Sequence, residues 1–242
     1  MQSEIDDREI AHAHAVREMF AGIAKRYDLL NHVLSLNIDK SWRRRVRSEI
    51  EDILDDESAL VLDVACGTGD LSLELRRQAK AGIIGTDFCR PMLAVAAEKT
   101  LATNTRIAYV EADAMTLPFA DGTFDALTIA FGLRNLPNHT AGLKELHRVL
   151  KSGGKLAILE CSKPRLPVLR QLYGFYFSTI LPRVGGLVSG SLGAYQYLPD
   201  SVSKFPDQKT LVGLMEESGF VNVKYQNLTG GIAAIHVAEA RA

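Results

Sequence analysis

The sequence predicts an α/β fold with a doubly wound, mostly parallel sheet, and three observations carry that expectation. From residue 60 to residue 160, short apolar runs alternate with stretches of helical spacing. Leu60-Val61-Leu62-Asp63-Val64 reads as a buried parallel strand, and Gly67-Thr68-Gly69 after it as a tight turn opening a helix. Two β-rich runs near the far end, 220–228 and 232–239, read as a closing antiparallel pair.

Taken in order, residues 8–26 place Ile10, Val16, Met19, Phe20 and Ile23 at helical steps and predict a leading helix. Residues 27–35 mix polar and apolar side chains without a clear period. Lys40 to Leu54 reads as a basic helix carrying Trp42, Arg43, Arg44, Arg45 and Arg47, either a solvated face or a patch resting on anionic lipid. Strands are expected at 60–65, 82–87, 106–110, 124–130 and 154–160, with helices at 69–79, 91–100 and 140–150. Pro91 suits the first turn of the second helix, and Lys151-Ser152-Gly153-Gly154 ends the third and turns into the fifth strand.

Residues 161–205 interrupt the alternation with an aromatic stripe from Leu172 to Pro182, a Gly/Ser-rich turn and Tyr195-Gln196-Tyr197-Leu198. This insertion either packs on the sheet or forms a lid that holds an apolar substrate or touches the bilayer; a dimer surface is also compatible with it. A helix then begins at Asp207 and runs to about Gly219. The expected organisation is a single domain over 1–242: a helical cap at 8–54, a core at 58–160 and 206–242, and the insertion at 161–205.

Composition sets bounds on function. With 28 basic and 29 acidic residues, the net charge of −1 provides no global field to recruit nucleic acid or an anionic membrane. Cys66, Cys89 and Cys161 lack disulfide-framework or metal-ligand spacing, so no metal site is expected and a reducing, cytoplasmic setting is. The first residues lack the apolar run of a secretory signal, and no segment is long and apolar enough to span a bilayer.

The glycine turn narrows the choice of ligand. A dinucleotide fingerprint requires a third glycine where Ser72 stands, and Asp70 puts negative charge where a pyrophosphate would sit. S-adenosylmethionine carries no phosphate, and its amino-carboxylate end suits the N–H groups of Gly67, Thr68 and Gly69, with Asp63 beside the ammonium. Asp87, at the end of the next strand and 24 residues after Asp63, is placed to accept the two ribose hydroxyls. Asp113 and Ala114, in the third acidic turn, are placed to read the adenine amino group. The competing reading is an α/β domain whose carboxylates merely cap helices.

Several further stretches carry a family resemblance over nearly the whole chain. They are Tyr27-Asp28-x-x-Asn31-x-x-x-Ser35 ahead of Trp42-Arg43, Leu117-Pro118-Phe119 with Phe124-Asp125, and Ala130-Phe131-Gly132-Leu133-Arg134-Asn135 with His147-Arg148-Val149-Leu150-Lys151-x-Gly153-Gly154. Tyr195-x-Tyr197-Leu198, Phe205-Pro206-Asp207-Gln208 and Gly231-Ile232-Ala233 complete the set. On these residues the chain resembles the ubiquinone/menaquinone-biosynthesis C-methyltransferases. It departs from their usual pattern at Asn37-Ile38-Asp39-Lys40, where glycine then a basic residue is common, and at Ala130 and Ser152.

The resemblance implies a Rossmann-like class I S-adenosylmethionine-dependent methyltransferase acting on a polyprenylated quinol, with Tyr27, Arg134 and Asn135 at the catalytic centre. Carbon is a poor nucleophile toward a sulfonium methyl, and removing a hydroxyl proton from the ring pushes charge onto the ortho carbon. A free phenol has a pKa near 10, so fixed donors or a cation must stabilise the phenolate. Arg134 and Asn135, just past the fourth strand, can supply them, although Arg134 could instead serve a salt bridge to a neighbouring carboxylate. Asp28 is a candidate acceptor or orienting partner and His32 a candidate base, whereas His147 reads as a surface or packing residue. Alternatives are an O- or N-methyltransferase and a non-catalytic scaffold binding cofactor or quinone.

Overall fold

Parallel strands are joined by helices that cover both faces of one sheet in the computed structural model, which describes residues 7–162, 164 and 192–241. The strands are β1 (Leu60–Val64), β2 (Gly82–Asp87), β3 (Ala108–Glu111), β4 (Phe124–Ala130), β5 (Leu150–Cys161), β6 (Phe220–Leu228) and β7 (Ala233–Ala240). Their order is β3-β2-β1-β4-β5-β7-β6. The first five run parallel, while β7 pairs antiparallel with both β5 and β6. The chain reverses its direction of travel across the sheet between β1 and β4. In open α/β sheets a ligand crevice lies at such a switch point, outside the carboxyl ends of the strands.

The described helices are α1 (Asp7–Ile23), α2 (Tyr27–Leu34), α3 (Ile38–Glu49), α4 (Glu51–Leu54), α5 (Asp70–Arg76), α6 (Arg90–Ala102), α7 (His139–Val149), α8 (Leu192–Lys204) and α9 (Gln208–Glu217). Strand alternation sends successive side chains to opposite faces. Leu62, Val64, Leu127 and Ile129 pack with Leu143 and Leu146 of α7 and Leu211 and Met215 of α9. Val61 and Ala126 face the other way, against Val46 of α3, Ile50 just after it, and Leu71 and Leu75 of α5. That same alternation turns Asp63 and Thr128, register partners on adjacent strands, toward α5.

The leading segment departs from its expected form. Residues 27–34, without a legible period, are helical, and the expected 8–26 helix ends at Ile23 with a 3₁₀ turn over Ala24–Arg26. Helix α2 is held by tertiary contacts that no local pattern displays: Asp28 bonds Thr68 and, at 2.7 Å, Lys99. The link to α3 passes through Leu36 and Asn37 in the left-handed region, at φ 53° and 60°. Asparagine tolerates that conformation better than most side chains. Helix α3 starts at Ile38 and the chain breaks at Ile50 before α4, instead of running from Lys40 to Leu54 as one helix.

The expected turn at 151–154 lies inside β5 as a register shift. Leu150 pairs with Phe124 and Lys155 with Ala126, and Gly153 adopts φ 74°. The cap is also tied to the far end of the sheet, because Trp42 Nε1 donates to Thr229 Oγ1 at 2.9 Å. No helix among the described residues is long and apolar enough to cross a membrane. The aromatic stripe at 172–182 lies outside the described residues.

Candidate active site

A cleft opens at the carboxyl ends of β1, β2 and β4. Asp63, Gly67, Thr68, Asp87, Asp113 and Ala114 line it, as do Tyr27 and Asn135, so most of the residues singled out in the sequence converge there. Phe20 of α1 joins Tyr27 in the wall, edge to face with it at 5.7 Å between ring centroids. Nothing in the helical spacing of residues 8–26 points to a ligand site on α1.

The turn after β1 is built by conformations that few residues accept. Ala65, Gly67 and Gly69 adopt φ 49°, 56° and 79°. A side-chain carbon at Gly69 would stand 2.7 Å from Tyr109 Oη and 3.0 Å from Ala96 Cβ. The turn is therefore a narrow backbone cradle. Not all of its N–H groups are open, contrary to the expectation from sequence: Cys66 N donates to Thr86 O, Gly69 N to Cys66 O, and Gly67 N to Asp87 Oδ2 at 2.8 Å.

Asp87 thus holds the turn and β2 together, its Oδ1 accepting from Cys89 N at 2.8 Å. Each oxygen retains a lone pair for a ligand hydroxyl. Asp63 accepts from Ser72 Oγ at 2.5 Å and Thr128 Oγ1 at 2.9 Å. Ser72 therefore has a positive function at the position that excluded a dinucleotide fingerprint. Asp113 forms a local turn, accepting from Met115 N at 2.9 Å. An aliphatic ammonium, a vicinal diol and an exocyclic amine all match carboxylates, so this donor and acceptor set fits S-adenosylmethionine without phosphate.

Burial pushes both Asp63 and Asp87 up to about 6, against the opposing pull of their hydrogen bonds. The ordinary value is 3.8, so the folded state binds more protons than the unfolded one between these limits. Their ionisation therefore disfavours folding as pH rises through that window, and acidification relieves it. If these carboxylates hold the cofactor in their ionised forms, its affinity has the opposite sign. By calorimetry we expect cofactor affinity to be flat above pH 7 and to fall at pH 5 by roughly tenfold for each carboxylate engaged. Asp63→Asn should remove one of those two steps.

Beside the turn, the cap contributes an ionic cluster that sequence reading did not assemble. Lys99 joins Asp28 to Asp70, and Arg43 joins Asp70, at 3.4 Å, to Asp39. Asp39 is buried and also accepts from Ser35 at 2.6 Å and faces His32 Nδ1 at 2.8 Å. Burial alone would raise the Asp39 pKa, but Ser35, Arg43 and His32 together lower it. His32, Asp39 and Asp70 have the mutual distances of a metal-binding trio, yet the Arg43 guanidinium already supplies their cation. His32 consequently sits in this cluster. His147 packs edge to face on Phe220, as a packing residue would.

At the opposite wall, Phe131 leaves β4 at φ 58° and turns its carbonyl toward the following 3₁₀ turn, Leu133–Asn135. Arg134 Nη1 donates to that oxygen at 2.5 Å and Asn135 Nδ2 at 3.2 Å. Glu160, 2% exposed in its side chain, accepts from Arg134 Nη1 at 2.9 Å and Arg134 N at 3.1 Å. Arg134 is 6% exposed and does not itself line the cleft as Asn135 does. Burial opposes its charge, but Glu160, Cys161 and Tyr27 hold its pKa above the ordinary guanidinium value. Tyr27 is raised by burial, with Arg134 and a hydrogen bond to Asn31 pulling it back. Glu160 stands near the end of an apolar strand as the other acidic residues do, a signal carried by Leu156-Ala-Ile-Leu-Glu160.

A family model for the ubiE/COQ5 methyltransferase family matches residues 7–240. The chain belongs to that family. A demethylmenaquinone methyltransferase of Thermus thermophilus is 47% identical over 222 residues, covering 91% of this chain and 99% of the relative. A ubiquinone/menaquinone biosynthesis C-methyltransferase UbiE of Geotalea uraniireducens is 46% identical over 228 residues, covering 93% and 95%. Among solved structures, an SAM-dependent methyltransferase from Aquifex aeolicus superposes with a TM-score of 0.58 at 19% identity, covering 80% of this chain and 88% of that one. The [4+2]-cyclase SpnF superposes with a TM-score of 0.69 at 16% identity, covering 94% and 95%. Those structural likenesses establish the Rossmann-like fold, and family membership makes this chain an S-adenosylmethionine-dependent C-methyltransferase of quinone biosynthesis.

Proposed function

We propose that the acceptor is a polyprenylated hydroquinone, demethylmenaquinol above all, methylated on a ring carbon. The observation that carries this reading is the Arg134–Asn135 pair, gathered on the Phe131 carbonyl beside the cleft and within electrostatic reach of Tyr27. A cation and an amide donor beside a buried phenol suit an acceptor that develops negative charge on oxygen. Amine methylation has no such requirement. Asp63, Gly67, Thr68, Gly69, Asp87, Asp113 and Ala114 are the residues to hold S-adenosylmethionine, which supplies an electrophilic methyl group when bound.

In this reading Arg134 and Asn135 stabilise the phenolate and Tyr27 orients the ring hydroxyl. Proton removal by Arg134 itself is ruled out on physical grounds, since Glu160 favours the charged guanidinium. Residues 161–205 act as the substrate lid and meet the bilayer peripherally, with the exposed Lys40 and Arg44 of α3 toward anionic lipid. The test is label transfer from S-adenosylmethionine to demethylmenaquinol and to a ubiquinol precursor, both reduced and held in detergent. Label in the ring of one supports carbon methylation and selects the pathway. Label in neither, with cofactor still bound, removes the quinol reading. For the membrane, a Tyr176/Phe177 double polar substitution is expected to reduce flotation with anionic liposomes several-fold, and flotation equal to wild type would count against the contact.

A further inference from the structure

We infer that Tyr197 of α8 is a positioning residue for methyl transfer: its hydroxyl fixes the Asn135 amide with the oxygen turned away and one N–H left for the acceptor oxygen. This rests on the role given to Asn135 above.

Asn135 sits on a short 3₁₀ turn, and the terminal torsion of an amide side chain is soft, so external bonds must set which end faces the cleft. Two such bonds are present. Tyr197 Oη donates to Asn135 Oδ1 at 3.0 Å, across 62 residues of chain. Asn135 Nδ2 donates to Phe131 O at 3.2 Å. The second bond is the longer of the two, on a carbonyl that also accepts from Arg134 Nη1 through its other lone pair. Both bonds set the orientation, and Tyr197 is the one that holds the amide oxygen. With Oδ1 satisfied by the tyrosine and one amide hydrogen on Phe131, the other amide hydrogen has no partner among the described residues. That hydrogen is the donor a phenolate needs. Without the tyrosine the amide can turn its oxygen toward the developing charge, where it repels.

The placement of Tyr197 adds a second consequence. It belongs to α8, which lies within the 161–205 insertion, while Asn135 follows β4 at the cofactor edge. The bond thus ties the insertion to the turn that carries Arg134 and Asn135. Tyr197→Phe removes this link and leaves the ring to pack.

The deciding experiment is a double-mutant cycle on Tyr197→Phe and Asn135→Ala, with labelled S-adenosylmethionine and short-chain demethylmenaquinol in detergent. Tyr197→Phe is expected to lower kcat about tenfold, with the acceptor KM and calorimetric cofactor affinity within about twofold of wild type. In the Asn135→Ala background the same substitution should change kcat by less than twofold, because the residue it acts through is gone. An equal tenfold loss in both backgrounds, or no loss in the wild-type background, overturns the assignment. Full activity of Asn135→Ala alone would instead overturn the role of Asn135, and so the two failures are distinguishable.

Discussion

Replacing Gly69 with valine is expected to lower cofactor affinity more than a hundredfold while the sheet stays folded. Gly69 occupies φ 79°, and a β-branched side chain in that region costs on the order of 1–2 kcal/mol before any contact is considered. The added carbon then meets Tyr109 Oη at 2.7 Å and Ala96 Cβ at 3.0 Å. Tyr109 cannot yield freely, since its hydroxyl shares a hydrogen bond with Thr100 at 2.9 Å. The turn must move instead. Its movement pulls the Gly67 N–H off Asp87 and dismantles the cradle between β1 and β2. Gly213→Ala is the control, because nothing lies within 4 Å of a carbon added there and alanine favours the helix. Calorimetry and far-UV circular dichroism on both variants test the expectation. Undiminished affinity in Gly69→Val would remove the turn from the cofactor site.

What the sequence made legible was whatever rested on short-range pattern. Strands β1, β2 and β4 lie within a residue of the expected ranges because their apolar runs are uninterrupted, and the antiparallel pair at the end is similarly plain. The glycine turn and the acidic strand ends could be read because one residue type at one strand end meets one chemical need. Helix α2 could not, since Asp28 is held by Lys99 and Thr68, distant partners that no local period predicts. The same applies to Arg43, whose charge spans Asp39 on its own helix and Asp70 at the start of α5. Phe131 shows the limit most clearly. Its left-handed backbone organises Arg134 and Asn135, yet phenylalanine carries no signal for that conformation, which tertiary packing imposes.

Arg134 illustrates how one residue can satisfy a structural and a catalytic reading together, and substitution in pairs should separate them. Arg134→Leu alone leaves the nearly inaccessible Glu160 carboxylate without its partner, and breaking a buried pair from one side costs about 3–5 kcal/mol. Loss of turnover in that variant would therefore prove little. Glu160→Leu alone strands the guanidinium and should destabilise comparably. The double variant Arg134→Leu/Glu160→Leu removes both charges and fills the space with apolar atoms, so its denaturant midpoint should return most of the way to wild type. Turnover should not return with it. If the guanidinium stabilises a developing phenolate, kcat in the double variant stays down by about 10²–10³, the loss typical of removing one such donor. Cofactor affinity should remain within a few fold, because Asp63, Asp87 and the glycine turn are untouched. Recovery of both stability and turnover would reduce Arg134 to a buried ion pair. Recovery of stability alone would place its charge in the reaction.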